Sequence, residues 1–159
     1  MPDQNEKRSG NSNDAGGPVG ASLSVFLADS YVLLAKTQAC HWNATGSDFF
    51  ALHKLTEAQY GELFAAIDTL AERLRALSIR APGGLGELLS LATLEDGTGA
   101  MTTQQAAALL AEVNSAMSRQ ANDVAAKAEE AGDAGTHDLL VARSLAHDKA
   151  AWLLRSHLN

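Results

Sequence analysis

The sequence predicts an all-α protein, a four-helix bundle with a long crossover between the second and third long helices that carries a short extra helix. Three observations predict it. Alanine and leucine make up about a third of the 159 residues, while valine and isoleucine number only six and two, a balance that favours helices over strands. Apolar residues recur at helical spacing in four long segments. Turn signals rich in Gly, Pro and Asn separate those segments. The chain is long enough to bury one core and too short for two.

Residues 1–20 hold four glycines, two prolines and no apolar periodicity, and are expected to form a flexible, slightly acidic arm. Residues 21–159 are expected to form the bundle domain. Leu23, Leu27, Ser30, Leu34, Thr37 and His41 fall on one stripe of the first helix, which should stop between Asn43 and Gly46. Ser47 or Asp48 is expected to cap the second helix. Its apolar residues are Leu52, Leu55, Leu63, Phe64, Ile67, Leu70, Leu74 and Leu77, and it should end before Pro82-Gly83-Gly84.

The segment from residue 83 to 101 is Gly-rich, with one apolar piece, Leu85 to Leu91, suited to a brief helix. Thr102 and Gln105 have the spacing of a capping box for the third long helix, from about Thr103 to Ala131. Gly132 to Gly135 form a turn, and Thr136 is expected to cap the last helix.

Composition narrows the functional classes. No uninterrupted apolar run approaches 18 residues, so no membrane span is expected. The single cysteine, Cys40, fits a reducing cytosol. A net charge of −7 argues against a broad basic face for nucleic acid.

The residues suited to chemistry lie mostly on the second helix. His53/Glu57 and Asp68/Glu72 are two i,i+4 pairs, each on one face. Such pairs are commonly solvated surface, but Asp68 and Glu72 repel one another unless a cation sits between them. Fifteen residues separate His53 from Asp68, which places the pairs on roughly one face but about 22 Å apart along the axis. One chain therefore cannot bring both to one metal ion. In an antiparallel second copy, related by a two-fold axis near Glu62 and Leu63, His53 would face the partner's Glu72, and Glu57 the partner's Asp68. Two equivalent nitrogen–oxygen sites would result, suited to iron, zinc or manganese. A di-iron centre within one bundle uses Glu-x-x-His motifs; no histidine here has an acidic residue three positions before it. P-loop and nucleophile-elbow motifs are absent as well.

The run Lys36-Thr37-Gln38-Ala39-Cys40-His41-Trp42-Asn43-Ala44-Thr45-Gly46, followed by Phe49 and Leu52-His53, resembles the signature of the Dps miniferritins. Glu57, Tyr60, Asp68-Thr69-Leu70-Ala71-Glu72-Arg73 and the tail from His147 to Trp152 keep the family spacing. The resemblance covers about residues 21–158. It implies a ferritin-like bundle that assembles as a dodecamer from two-fold dimers. It implies oxidation of Fe(II) by hydrogen peroxide or dioxygen and storage of the ferric mineral, with iron as the metal and zinc as a possible substitute. The implied ligands are His41 and His53 from one subunit and Asp68 and Glu72 from its neighbour. Glu57 stands where the family usually has Asp, and Trp42 resembles a tryptophan beside the iron site. Asp133 and Asp138 are candidate ion-entry pore residues, and a cytoplasmic location is implied.

The runner-up reading is a DNA-compacting nucleoid protein in which the metal site is secondary. The sequence supports it thinly. The arm carries only Lys7 and Arg8 against three acids, the C-terminus has no basic extension, and an acidic particle repels phosphate. A plain structural assembly, with the same residues as interface polar groups, is the blandest alternative.

Overall fold

The computed structural model describes residues 17–158. Its helices are α1 (Gly17–Asn43), α2 (Phe49–Ala76), α3 (Leu85–Leu91), α4 (Thr103–Glu130) and α5 (Ala134–His157). The expected architecture holds: four long helices, and a short fifth one inside the connection between α2 and α4. Most of the expected arm lies outside the described residues. Its last four residues do not belong to it, because α1 begins at Gly17. Pro18 fits a first helical turn, where its missing N–H costs nothing, and Val19 and Gly20 are already buried.

All six residues of the α1 stripe are buried, His41 among them. So are Phe26, Ala28 and Leu33 on its other sides. This helix packs against α2, α3 and α4. By length and composition α1 is apolar enough to cross a membrane, with a mean hydropathy of 1.5 over an 18-residue window. That corrects the expectation from run length, since scattered polar residues such as Asp29 and Lys36 break every apolar run without lowering the mean enough. Of that window, 61% is buried inside the protein, as expected of a core helix.

The crossover runs the length of the bundle. At its start Ile79 packs on Gly20 near the beginning of α1, where a Cβ would collide with the isoleucine side chain. At its end Thr45 N–H donates to Met101 O and Thr103 N–H to Thr45 O, at 3.1 and 3.0 Å, beside the α1–α2 turn. Midway, Asp29 is fully buried. It accepts from Thr93 N–H (2.6 Å), Thr93 Oγ1 (2.8 Å), Leu94 N–H (2.8 Å) and Gln120 Nε2 (2.7 Å). Lys36 Nζ donates to Gly97 O at 2.6 Å. Because the crossover returns the chain to the end where α2 began, α2 and α4 run parallel, while each short-turn pair is antiparallel.

The caps follow the sequence with two exceptions. Thr102 and Gln105 form the expected capping box on α4. Asp48 occupies the α2 cap position without making a cap bond, and its carboxylate accepts instead from Ser47 Oγ at 3.3 Å. On α5 the cap is Asp133 and not Thr136; Thr136 N–H donates to Asp133 Oδ1 at 3.0 Å. Aspartate is among the strongest N-cap residues, and the turn places it three residues ahead of Thr136. Phe64 also departs from expectation, being 67% exposed where the sequence placed it with the apolar side of α2.

Candidate metal centre

His41 ends the buried stripe of α1, and His53 lies one turn into α2, across the short connection. Their rings stack at 3.7 Å between centroids with 15° between planes. His41 Nδ1 donates to the backbone carbonyl of His53 at 2.9 Å, and His53 Nδ1 donates to that of His41 at 3.0 Å. A carbonyl can only accept, so each Nδ1 carries the proton. In the neutral rings each Nε2 therefore keeps its lone pair, the state in which imidazole binds a metal. Thr56 Oγ1 lies 3.1 Å from His41 Nδ1 as a second acceptor, while its own proton goes to Leu52 O at 2.8 Å. Such outer hydrogen bonds fix ring orientation and raise ligand basicity. Tyr60 meets the His41 ring edge-on at 5.1 Å, and Phe49 tilts against His53 at 5.2 Å.

The sequence reading did not single out Thr56 or Phe49 for this role. The available signal was spacing, since Thr56 and Tyr60 follow His53 by three and seven residues on a helix.

Glu57, one turn beyond His53, is exposed and paired with Lys54 at 2.7 Å. The hydrogen bond and charge of Lys54 hold its carboxyl below the usual value, with smaller contributions from the two imidazoles. Asp68 and Glu72 lie further along α2, exposed, and neither hydrogen-bonds nor ion-pairs with another described residue. Among the described residues no three His, Cys, Asp or Glu side chains gather into a metal-binding group. The structure brings His41 and His53 together and leaves Asp68 and Glu72 apart from them. Imidazole and carboxylate without thiolate form a donor set suited to iron or zinc.

Trp42 follows His41 on α1 and is 65% exposed. The two pore candidates differ in surroundings. Asp133 accepts from Thr136 Oγ1 at 2.5 Å and pairs with Arg73. Burial alone would raise its carboxyl, but the bonds from Thr136 and Arg73 outweigh it and hold it below the usual value. Asp138 is exposed beside His137, whose Nδ1 lies 3.2 Å from it. Asp133 is thus committed to closing a turn, whereas Asp138 presents its carboxylate to solvent.

His147 is buried with its Nδ1 2.9 Å from Asn114 Oδ1 and its Nε2 3.5 Å from Arg143. Burial, reinforced by the Arg143 charge, pushes its pKa down to about 3. It is a neutral core residue, and its surroundings differ from those of the stacked pair His41 and His53.

Four long helices joined by two short turns and one full-length crossover make the ferritin-like architecture. The Ferritin family description, a ferritin-like domain, matches residues 21–159. A low temperature-induced protein of Nostoc sp. is 37% identical over 86% of this chain and 77% of its own length. A DNA protection during starvation protein of Brevibacillus brevis is 33% identical over 88% of this chain and 94% of its own. The crystal structure of a Dps protein from Vibrio cholerae O1, described as one of the ferritin-like diiron-carboxylate proteins, superposes with a TM-score of 0.84. It shares 30% identity and covers 89% of each chain. Within the ferritin-like class, this chain belongs to the Dps miniferritin family.

Proposed function

We propose that this chain is a cytoplasmic iron-storing ferroxidase whose sites are shared between two copies. His41, His53 and Glu57 come from one chain, and Asp68 and Glu72 from its partner. The observation that carries the reading is the locked imidazole pair. Both Nδ1–H groups are spent on backbone carbonyls, so both Nε2 atoms are free to bind, while the remaining carboxylates sit out of reach on the same helix. An antiparallel partner supplies them.

Fe(II) is the substrate. Two Fe(II) ions give two electrons to one hydrogen peroxide, which with two protons yields two waters and two Fe(III). Dioxygen is the alternative oxidant. Taking both electrons together avoids release of a hydroxyl radical. The carboxylates offset the ferric charge, and the neutral imidazoles hold either oxidation state. The ferric product is stored inside a dodecameric shell, with Asp138 at the ion-entry pore, where symmetry-related carboxylates attract cations. Zinc takes the same ligands without redox chemistry and so inhibits. DNA is protected by removal of iron and peroxide, with no need for direct contact by a chain of net charge −7.

Complementation tests the shared site. His53→Ala chains and Asp68→Ala chains should each oxidise Fe(II) poorly when expressed alone. Co-expressed in equal amounts, random pairing restores about a quarter of the sites, because half of the pairs are mixed and each mixed pair has one intact site. No recovery in correctly assembled mixed particles would refute the shared site.

A further inference from the structure

Phe64 is 67% exposed in the middle of α2, and a Cβ placed on Gly61, one turn earlier, would meet nothing within 4 Å. Neither observation suits a helix face made for water. The ring leaves apolar surface uncovered, and a glycine inside a helix is destabilising relative to alanine. At about 100° per residue, His53, Glu57, Gly61, Phe64, Asp68 and Glu72 fall within a sector of about 100°, the face that carries the ligands.

Gly61 and Phe64 are also equidistant from the point between Glu62 and Leu63. That same point bisects His53 and Glu72, and Glu57 and Asp68. An antiparallel copy that sets His53 against the partner's Glu72 therefore sets Gly61 against the partner's Phe64, and two-fold symmetry repeats the contact. The exposed ring nearest the two-fold point then meets the position with no side chain. Packed helices seat the ridges of one in the grooves of the other, and a residue with no side chain deepens the groove. Sliding the copies by one turn in one direction puts Phe64 against the partner's Glu57; in the other direction it meets the partner's Ala65. Both alternatives leave the ring without its hollow.

We propose that Phe64 seats over Gly61 of a second copy of this chain, and that this knob and hollow set the register in which His53 meets the partner's Glu72. The inference rests on the shared-site reading, and the two act here as positioning residues.

A size swap tests it, with native mass spectrometry over a dilution series as the readout and circular dichroism as the check on folding. Gly61→Leu fills the hollow, yet raises helix propensity, so misfolding does not explain a loss. Phe64→Ala removes the knob. Each single variant should dissociate at a concentration roughly tenfold or more above the parent, and Gly61→Leu combined with Phe64→Ala should recover most of that loss. Single variants that dissociate like the parent, or a double variant as weak as the product of the two singles, would overturn the proposal. The outcome is separable from the complementation test: ligand sharing can fail while the swap rescues, and the swap can fail while mixed chains recover activity.

Discussion

His41 and His53 hold each other in place, each ring donating its Nδ1 proton to the other's backbone carbonyl while the two rings stack 3.7 Å apart. The two helices that meet at this pair are joined by only a short turn, so local chain geometry alone fixes both imidazoles. Preorganisation of this kind lowers the ordering cost of binding.

The first prediction concerns the tautomers. Nitrogen NMR of the metal-free protein at neutral pH should show both rings protonated on Nδ1, and an Nε2–H form for either ring would contradict the geometry. Thr56→Val removes one acceptor from His41 and keeps the shape. It should lower Fe(II) affinity by roughly tenfold or more, the usual cost of losing an outer partner, with little change in thermal stability. Anaerobic calorimetry with Fe(II) measures it.

Asp29 supplies a second. Its carboxylate is fully buried and satisfies four donors, three of them in the crossover. Asp29→Asn replaces one acceptor oxygen with a donor that faces other donors. The loss should be on the order of 2–4 kcal/mol in denaturant unfolding, with faster proteolysis of residues 92–100. Parent-like stability would show that the carboxylate is not the anchor.

A third follows from His147, whose pKa is lowered from 6.5 to about 3. The unfolded chain takes up this proton near 6.5 and the folded one does not. Stability is therefore fully present above that value and falls as pH drops from 6.5 towards 3. The slope from this one group is about 1.4 kcal/mol per pH unit. Unfolding measured between pH 7 and 5 should show it, and His147→Gln should flatten the slope whatever it does to absolute stability.

Asp133→Ala is expected to cost about 1–2 kcal/mol by removing the α5 cap and the partner of Arg73. The folded carboxyl is held below its ordinary value of 3.8. Its contribution is thus complete at neutral pH and is lost only as pH falls through the acid range below that value. Melting temperatures of parent and variant should converge towards pH 2, and a gap that persists there would point to packing.

Much of this fold was legible because the strongest signals are local. The α1 stripe from Leu23 to His41 repeats without error, and the Thr102/Gln105 pair is a complete capping box. The short helix from Leu85 to Leu91 stands out between glycines. What was not legible depends on neighbours. Phe64 reads as a core residue by hydrophobicity alone, and only the packed bundle shows it facing outward. The start of α1 was hidden because Gly17 and Pro18 resemble a linker until Ile79 is seen against Gly20. Thr136 looked like a cap, but the helix starts earlier: Asp133 accepts from the Thr136 amide itself and is held in place by its pairing with Arg73. At the candidate site, spacing alone separated His53 from Asp68 correctly. The reciprocal bonds between His41 and His53 needed coordinates, since nothing in a string of letters aligns a ring with a carbonyl on another helix.

The crossover has a consequence for chain continuity. It divides the molecule into two helical hairpins, α1–α2 and α4–α5, each closed by a turn of a few residues and each unable to cover its own apolar face. A single cut between Asp96 and Ala100, past the Asp29 anchor, would leave both hairpins clasped through α1 and α4. The nicked protein should elute with the intact one, and the two purified fragments should find each other again on mixing. In physical terms this one polypeptide is a tethered heterodimer, and its strap matters more for assembly than for persistence.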